Sequence, residues 1–377
     1  MAAFVSQSAP TKMSSSNPAN WAAQSIAERI LIVRLGAMGD IIHGLPAVAS
    51  LQAAFPASRI GWLIEEGWAE LLCTLATPRS GPRSPQRPLV DRIHTVNTKR
   101  WGAAPFSLQT WERIAAALSD LRAEDYDIAI DLQGALRSSL LARWSGAPTI
   151  YGFAEPREIP ASMFYTRPVI ASGEHVVEQA QSLMNSIAGR PLPLSQVEVP
   201  RDDKAEVECE SWLREKGIDN FVLLNPGAGW GAKLWPSDRY GDVARRLAER
   251  GLKNVINFGP GEELIAQSVL AKAGAGSYGF TGSLTRLIAL TRRASLFIGG
   301  DTGPMHLAAA LCVPVIAIFG PTNPARNGPF GVRHIVLRSP ASVTSYRHVN
   351  EPDRGLLEIN SEQVVAAAEQ LLEEHHD

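Results

Sequence analysis

The residues best suited to chemistry in this sequence lie where short apolar runs end in glycine-rich turns. One such run, 296–298, is followed by two glycines, then by Asp301, Thr302, Gly303 and a proline, with His306 one helical turn on. The pattern predicts a buried strand, a tight turn and the start of a helix. Such a helix start offers free N–H groups and the positive end of its dipole to a phosphate or diphosphate. The alternative is that Asp301 and Thr302 only cap the helix.

Asp40 closes a second turn of this kind, the stretch 36–40 that follows the apolar run 30–35. Its carboxylate could accept a proton from an attacking hydroxyl, and such general-base catalysis contributes about 100- to 10,000-fold to a rate. It could instead cap the helix predicted over 41–55. The glycine spacing is G-x-x-G-D rather than G-x-G-x-x-G, which argues against a dinucleotide-binding turn.

Five other charged residues stand beside predicted turns or loops. Lys233 ends a glycine-rich loop ahead of a helix, where it could neutralise a phosphate as a point charge or simply face solvent. Glu263 follows the next predicted strand, and its carboxylate could hold ribose hydroxyls or favour the following helix N-terminus. Arg157 could clamp a carboxylate or phosphate with its planar fork, or remain solvated in its loop. Lys99 and Arg100 precede a tryptophan and could receive an anionic ligand or form a solvated edge.

The composition is typical of a globular protein, and the length of 377 residues predicts about two domains. Hydrophobic residues make up 45% of the chain and charged residues 20%. The formal net charge of -2 argues against nucleic-acid binding as the main function. The cysteines at 73, 209 and 312 form neither a metal motif nor a disulfide framework, which favours a reducing, cytoplasmic compartment. No apolar run reaches 18 residues, so the sequence predicts no membrane span.

Alternating strand and helix patterns in both halves predict an α/β protein with two Rossmann-like domains and parallel sheets. We expect a first domain over 29–195 and a second over 196–350, joined by a proline-rich linker. Residues 1–28 are rich in Ser, Asn, Pro and Ala and are predicted to form a disordered extension. The last segment, 351–377, contains an amphipathic helix that we expect to pack back on the first domain.

Taken together and in this order, the motifs resemble those of glycosyltransferase family 9, the heptosyltransferases that build the inner core of lipopolysaccharide. The resemblance extends from about residue 29 to the C-terminus. The motifs that carry it are the G-x-x-G-D turn with His43 and Pro46, and the stretches 131–134, 233–236, 301–306 and 319–322. Residues 99–101 and 157–165 are most similar to the heptosyltransferase I branch.

The resemblance implies a GT-B fold, in which two Rossmann-like domains face each other across a cleft. It implies that heptose moves, with inversion at the anomeric carbon, from ADP-L-glycero-D-manno-heptose to Kdo-lipid A. The donor would bind the second domain and the acceptor the first, and neither a metal nor a cofactor is implied. An enzyme that works on a lipid-anchored acceptor should also touch the cytoplasmic face of the inner membrane as a peripheral protein.

The resemblance also implies roles for individual residues. Asp40 falls on the position of the family's base, Lys233 on its diphosphate-binding lysine and Glu263 on its ribose-binding acid. The implied donor-site residues are Lys233, Glu263, Asp301, Thr302, Gly303 and His306. The implied acceptor-site residues are Lys99, Arg100 and Arg157.

Two stretches depart from the family's pattern. The Pro/Arg/Ser-rich stretch 77–88 looks like an addition, and its composition predicts a solvated, flexible loop. The donor loop 227–230 lacks the hydroxyl side chains expected there in the heptosyltransferase I branch. The donor contacts of this loop are therefore left open.

Three other functions stay open on the sequence. Heptosyltransferase II, or another heptose transfer, would differ in the acceptor that the loops select. A nicotinamide-dependent oxidoreductase would rest on the βαβ opening, with Glu65 or Glu66 imitating the acid that binds the ribose. The third is a non-enzymatic protein that binds a sugar nucleotide or a lipid. Such a protein would not need Asp40 and Lys233 at the positions of the family's base and diphosphate-binding lysine.

Overall fold

The computed structural model describes residues 28–345 and 349–373. The predicted disordered extension, 1–28, lies outside the described residues except for Glu28. The described strands are β1 (Arg29–Val33), β2 (Arg59–Glu65), β3 (Arg92–Val96), β4 (Ile128–Asp131), β5 (Thr149–Phe153), β6 (Arg167–Val169), β7 (Phe221–Asn225), β8 (Lys253–Asn257), β9 (Ser277–Phe280), β10 (Leu296–Gly300), β11 (Val315–Phe319) and β12 (His334–Arg338).

Helices alternate with these strands along the chain. The described helices are α1 (Met38–Ala54), α2 (Thr98–Ala103), α3 (Leu108–Arg122), α4 (Leu136–Trp144), α5 (Val176–Ala188), α6 (Asp203–Glu215), α7 (Ser237–Glu249), α8 (Glu263–Ala273), α9 (Leu284–Thr291), α10 (Gly303–Ala310), α11 (Pro324–Asn327), α12 (Arg354–Glu358) and α13 (Ser361–Glu373). None of these helices combines the length and the apolar character needed to cross a bilayer.

Two parallel sheets of six strands organise the chain. The first has the order β3-β2-β1-β4-β5-β6 and the second the order β12-β11-β10-β7-β8-β9. Both correspond to the doubly wound order 3-2-1-4-5-6. In this order the first three strands extend the sheet to one side, and the fourth strand returns to the first and extends the sheet to the other side. Ligands of such sheets bind at this switch point, outside the carboxyl ends of the strands. The switch points here lie between β1 and β4 and between β7 and β10.

The central strands are continuous apolar runs because helices cover both faces of each sheet. Every residue of β7, β10 and β11 is buried, and so is β1 apart from its first residue. The strands that the sequence did not predict are β6, β9 and β12, which all lie at sheet edges. β6 has only three residues, with Pro168 in its middle. Edge strands are half exposed, so they lack the apolar run that reveals a central strand.

The two domains meet through α1 and α10. The apolar cluster around α1 includes Ile288 and Leu307 from the second domain. A hydrogen bond from the backbone N–H of Thr285 to Glu70 (3.1 Å) also crosses the boundary. The carboxyl ends of both sheets therefore open toward a shared cleft, whose back wall is the contact between these helices.

The C-terminal helix packs in the core of the second domain, so our expectation that it would pack back on the first domain was wrong. Val364, Ala368 and Leu371 of α13 lie in the same apolar cluster as β7, β8, β10 and β11. Arg250, directly after α7, pairs with Glu369 of α13 at 2.5 Å. The amphipathic pattern predicted a buried face correctly, but the pattern alone does not say which surface covers that face.

The stretch 77–88 is ordered around a buried arginine, which corrects the prediction of a solvated, flexible loop. Arg87 is 2% exposed. Its guanidinium donates to the carbonyls of Val90 (3.1 Å), Pro82 (2.8 Å) and Pro78. The planar guanidinium of arginine has five N–H donors, so one side chain can satisfy three backbone carbonyls of a segment that lies outside the named strands and helices.

Arg87→Ala is expected to destabilise the protein by about 2 to 4 kcal/mol, because it leaves these carbonyls without their charged donor. Urea unfolding of the full chain measures this difference. Arg87→Lys should recover only part of it, since a single ammonium cannot reproduce the fork. The matched control is Arg143→Ala on the exposed surface of α4, which should shift stability by less than about 0.5 kcal/mol. Equal effects of the two alanine variants would contradict a structural role for Arg87.

Candidate active site

An ion pair spans the switch point of the second sheet. Lys233 stands at the end of the loop after β7, and Asp301 follows β10. The Lys233 ammonium donates to the Asp301 carboxylate (2.6 Å) and to its backbone carbonyl (3.1 Å). It also lies 5.2 Å from the centre of the Trp230 ring, within reach of a cation–π contact. The structure thus brings together two of the residues expected in the donor site.

Asp301 is buried and stays ionised. Burial by itself would raise the pKa of the Asp301 carboxyl, because it penalises the charged form. The hydrogen bond and charge of His306, together with the Lys233 ammonium, outweigh burial and hold this pKa well below its ordinary value. His306 Nε2 lies 3.2 Å from the second carboxylate oxygen. Asp301 is therefore an anchor that fixes Lys233 and His306 at the turn.

Thr302 and Gly303 form the turn that starts α10. Thr302 is the N-cap residue, yet its side chain makes no capping hydrogen bond to the helix. Its hydroxyl instead donates to the carbonyl of Gly300 at 3.3 Å. The first turn of α10 therefore receives no side-chain acceptor from its own cap, and such a helix start favours an anion.

The loop that carries Lys233 is fixed by distant parts of the second domain. The indole of buried Trp235 donates to the carbonyl of Ile359 at 2.9 Å. The N–H of Ala232 donates to the carbonyl of Val349 at 3.1 Å, and the carbonyl of Ala232 accepts from Asp353 at 3.2 Å. These contacts position the ammonium before any ligand arrives.

Asp40 lies in the first turn of α1, at the switch point of the first sheet. One carboxylate oxygen accepts from the N–H of Ala37 (3.2 Å), and the other pairs with Arg34 (3.1 Å). The Asp40 side chain remains 41% exposed, while that of Arg34 is 15% exposed. Arg34 also donates to the carbonyl of Leu132 at the end of β4. Sequence reasoning missed this arginine, although it precedes the turn by only two residues.

The two helix starts meet directly, which brings the Asp40 turn to the Thr302 turn. A Cβ atom on Gly39 would lie 2.5 Å from the His306 ring, and one on Gly303 would lie 2.6 Å from the Met38 sulfur. A side chain at either position would force its neighbour to shift. Glycine at both positions therefore lets the two helix starts pack closely across the domain boundary.

Two further histidines join His306 at this contact. The ring centres of His43 and His306 are 4.1 Å apart, and those of His43 and His175 are 5.4 Å apart. His175 is the N-cap of α5, and its Nε2 lies 3.0 Å from the carbonyl of Gly328. His175 carried no sequence signal, because its neighbours in space, His43 and Gly328, are far from it along the chain.

A buried carboxylate orders the turn after β4. Asp131 accepts from the N–H groups of Gln133 (2.9 Å) and Gly134 (3.2 Å) and from the hydroxyls of Ser138 (2.9 Å) and Tyr165 (2.8 Å). Burial raises the pKa of Asp131 despite these four donors. The motif at 131–134 is therefore held in place by a network of hydrogen bonds to the Asp131 carboxylate.

The predicted acceptor residues are exposed on the first domain. Lys99 and Arg100 lie on α2, whose first residue, Thr98, is held by the carboxylate of Glu65. Arg157 is exposed, and its backbone packs against Gly134. In the described part of the chain none of the three predicted residues has a hydrogen bond or ion pair to Lys233, Asp301 or His306. Their binding role stays a prediction.

Glu262, rather than Glu263, faces the donor loop. The carboxylate of Glu262 lies against the backbone of Gly227 and accepts from the N–H of Gly259 at 2.8 Å. Glu263 is exposed at the start of α8 and accepts from the N–H of Gly261 at 3.2 Å. The resemblance had pointed to Glu263 as the ribose-binding acid. The described residues contain no cluster of three or more His, Cys, Asp or Glu side chains arranged to hold a metal ion.

Comparisons with known proteins agree with this geometry. The family described as glycosyltransferase family 9 (heptosyltransferase) matches residues 114–354. Lipopolysaccharide heptosyltransferase 1 of Pseudomonas aeruginosa is 31% identical over 349 residues, which cover 89% of this chain and 92% of that protein. The Escherichia coli K12 protein of the same name is 29% identical over 325 residues, which cover 83% and 94% of the two chains.

Solved structures give the same result for the fold. The structure described as E. coli heptosyltransferase WaaC with ADP superposes with a TM-score of 0.73 at 27% identity, covering 91% of this chain and 99% of that one. A family 9 glycosyltransferase from Veillonella parvula superposes with a TM-score of 0.78 at 25% identity, covering 92% and 98%. The expected GT-B fold is confirmed.

The same findings decide between the open functions. They favour a glycosyltransferase over the nicotinamide-dependent oxidoreductase, and the structure has already tied Glu65 to the start of α2. They also favour an enzyme over a protein that only binds a sugar nucleotide or lipid. The family model matches more than half of this chain, and a relative is 31% identical over 89% of the chain. This chain therefore belongs to glycosyltransferase family 9, the heptosyltransferases.

Proposed function

We propose that this enzyme transfers heptose from ADP-L-glycero-D-manno-heptose to Kdo-lipid A, the first heptose addition to the inner core of lipopolysaccharide. The observation that carries the proposal is the direct contact of the two helix starts, in which Met38 and Gly39, just before Asp40, lie against Gly303 and His306. The relatives named lipopolysaccharide heptosyltransferase 1, and the neighbour solved with ADP, support the choice of donor and acceptor.

In the proposed reaction the acceptor hydroxyl attacks the anomeric carbon of the donor while Asp40 accepts its proton. The bond between that carbon and the β-phosphate oxygen breaks, and ADP leaves with the bonding pair. Lys233 and the N–H groups at Thr302 and Gly303 stabilise the charge that develops on the β-phosphate. Attack opposite the leaving group inverts the anomeric centre.

Ribose and acceptor contacts complete the proposal. Glu263 is the acid expected to hold the ribose hydroxyls, and Glu262 is a second candidate because its carboxylate already lies against the donor loop. Lys99, Arg100 and Arg157 provide exposed positive charge at the carboxyl edge of the first sheet, where an anionic acceptor would approach. We propose that the enzyme works in the cytoplasm, as a peripheral protein on the inner membrane face.

The test is a mass-spectrometric transfer assay with ADP-heptose and Kdo-lipid A, run with and without EDTA. We expect one heptose added per acceptor and no loss of rate with EDTA. Transfer only to an acceptor that already carries heptose would instead assign the second heptose addition. Absence of product together with absence of thermal stabilisation by ADP would overturn the donor site. Co-sedimentation with vesicles that contain the acceptor tests the membrane contact separately.

A further inference from the structure

A cavity of about 300 Å³ lies between the two domains, beside the contact of α1 and α10. The first domain contributes α1, the start of α5 and the linker residues 194–197, and the second contributes the last turn of α10 and the loop at 330–331. The cavity shares His306 with the site described above. Asp40, Lys233, Thr302 and Gly303 do not line it, so it is distinct from the space expected for the donor diphosphate.

The walls of this cavity are mainly apolar. Ile42, Val177 and Ala309 represent the apolar lining, and Phe330 provides an aromatic ring. None of the described residues that line it is Asp, Glu, Lys or Arg. A charged occupant would lose its hydration without gaining a carboxylate, ammonium or guanidinium partner, which costs several kcal/mol or more. The chemistry of the walls therefore selects an uncharged molecule.

His43 gives this cavity a polar group in need of a partner. The residue is 7% exposed, its ring belongs to the cavity wall, and neither ring nitrogen has a hydrogen-bond partner among residues 28–345 and 349–373. A buried polar atom left in this state costs about 1 to 3 kcal/mol. Burial, followed by the charges of His306, His175, Arg34 and Arg326, lowers the pKa of His43 well below its ordinary value. The neutral ring offers one donor and one acceptor.

We propose that this interdomain cavity is a second ligand site, which binds a compact, uncharged and mostly apolar molecule that carries one amide or hydroxyl group to pair with His43. An occupant would touch both domains at once. Binding there would favour the domain arrangement seen in this structure over any other, so the site can couple to catalysis without overlapping the donor or acceptor.

The position of the cysteines allows a direct test. Cys312 is exposed and lines the cavity, whereas Cys73 and Cys209 are buried. Alkylation by iodoacetamide, followed by intact-protein and peptide mass spectrometry, therefore reports on the cavity through one thiol. The probes are benzamide and benzoate, which share a ring and a size but differ in charge. We expect saturating benzamide to slow Cys312 alkylation at least about 5-fold and benzoate to leave the rate unchanged.

Two variants separate cavity binding from a general effect on the thiol. Ala310→Phe fills the cavity with a ring and should abolish protection by benzamide. His43→Phe keeps an apolar ring but removes the polar partner, and should raise the benzamide concentration for half-protection at least about 5-fold. Equal protection by benzamide and benzoate, or full protection in Ala310→Phe, would overturn the proposal. The comparison of the two probes on the unmodified protein remains decisive if His43→Phe does not fold.

Discussion

Asp40→Asn is expected to lower kcat by about 100- to 10,000-fold while leaving ADP affinity within about 2-fold of the original enzyme. The amide keeps the size of the carboxylate, and its oxygen can still accept from the N–H of Ala37. It cannot accept a proton from an attacking hydroxyl. Because Asp40 belongs to the first domain and the donor turn to the second, loss of the base should leave ADP binding intact. Steady-state kinetics and calorimetry with ADP measure the two quantities.

The matched control is Glu66→Gln, which neutralises an exposed carboxylate at the carboxyl end of β2. We expect less than about a 2-fold change in kcat, since surface substitutions away from the site have small effects. The same variant tests the abandoned dinucleotide hypothesis, in which this acid would bind a ribose. Wild-type turnover in Asp40→Asn would remove Asp40 from the mechanism and leave the acceptor without an identified base.

Lys233→Met is expected to lower kcat by about 100- to 1,000-fold, the range seen when one preorganised donor to a developing anion is removed. Methionine preserves much of the length and the apolar stem of lysine, so the space that the Lys233 side chain occupies stays filled. The loss should be larger in kcat than in ADP affinity, because the β-phosphate gains negative charge as the glycosidic bond to it breaks. Single-turnover kinetics with saturating donor isolates the chemical step.

Asp301→Asn is the control that distinguishes catalysis from architecture. Both variants break the same 2.6 Å ion pair, so both should lose comparable stability. Only Lys233→Met removes the positive charge that faces the leaving group. If the two variants lost turnover equally, Lys233 would act only as a structural partner of Asp301. The N–H groups at the start of α10 would then stabilise the diphosphate without the lysine.

The sequence predicted the elements whose chemistry is local. β1, β7, β10 and β11 are largely apolar, and each ends in glycine or is followed by a turn that contains glycine, so strand and turn could be predicted together. Asp301 follows its strand directly, and Asp40 and Lys233 come at the end of the glycine-containing turn and loop after β1 and β7. Because the carboxyl ends of parallel strands meet at one edge of a sheet, a position just after a strand already places a side chain near the ligand.

What the sequence could not predict depends on contacts between distant segments. The buried pairing of Arg87 with three carbonyls turned a loop of solvated composition into an ordered one. His306 comes to His43 and His175 only because the two domains meet, and nothing in the sequence shows that Arg34 lies opposite Asp40. The apolar face of α13 was visible, but its partner surface was not. Single-sequence patterns report the burial of a residue better than the identity of its neighbour.

The short strand β6, with Pro168 at its centre, has a consequence for the behaviour of the protein in a crowded solution. A strand at the edge of a sheet presents unpaired backbone groups that can template association with another chain. Pro168 has no N–H to donate, and its flanking residue Arg167 is exposed and charged. A three-residue strand with this composition ends the first sheet without offering a continuous ladder. The first domain therefore carries, at that edge, a built-in barrier to aggregation through sheet extension.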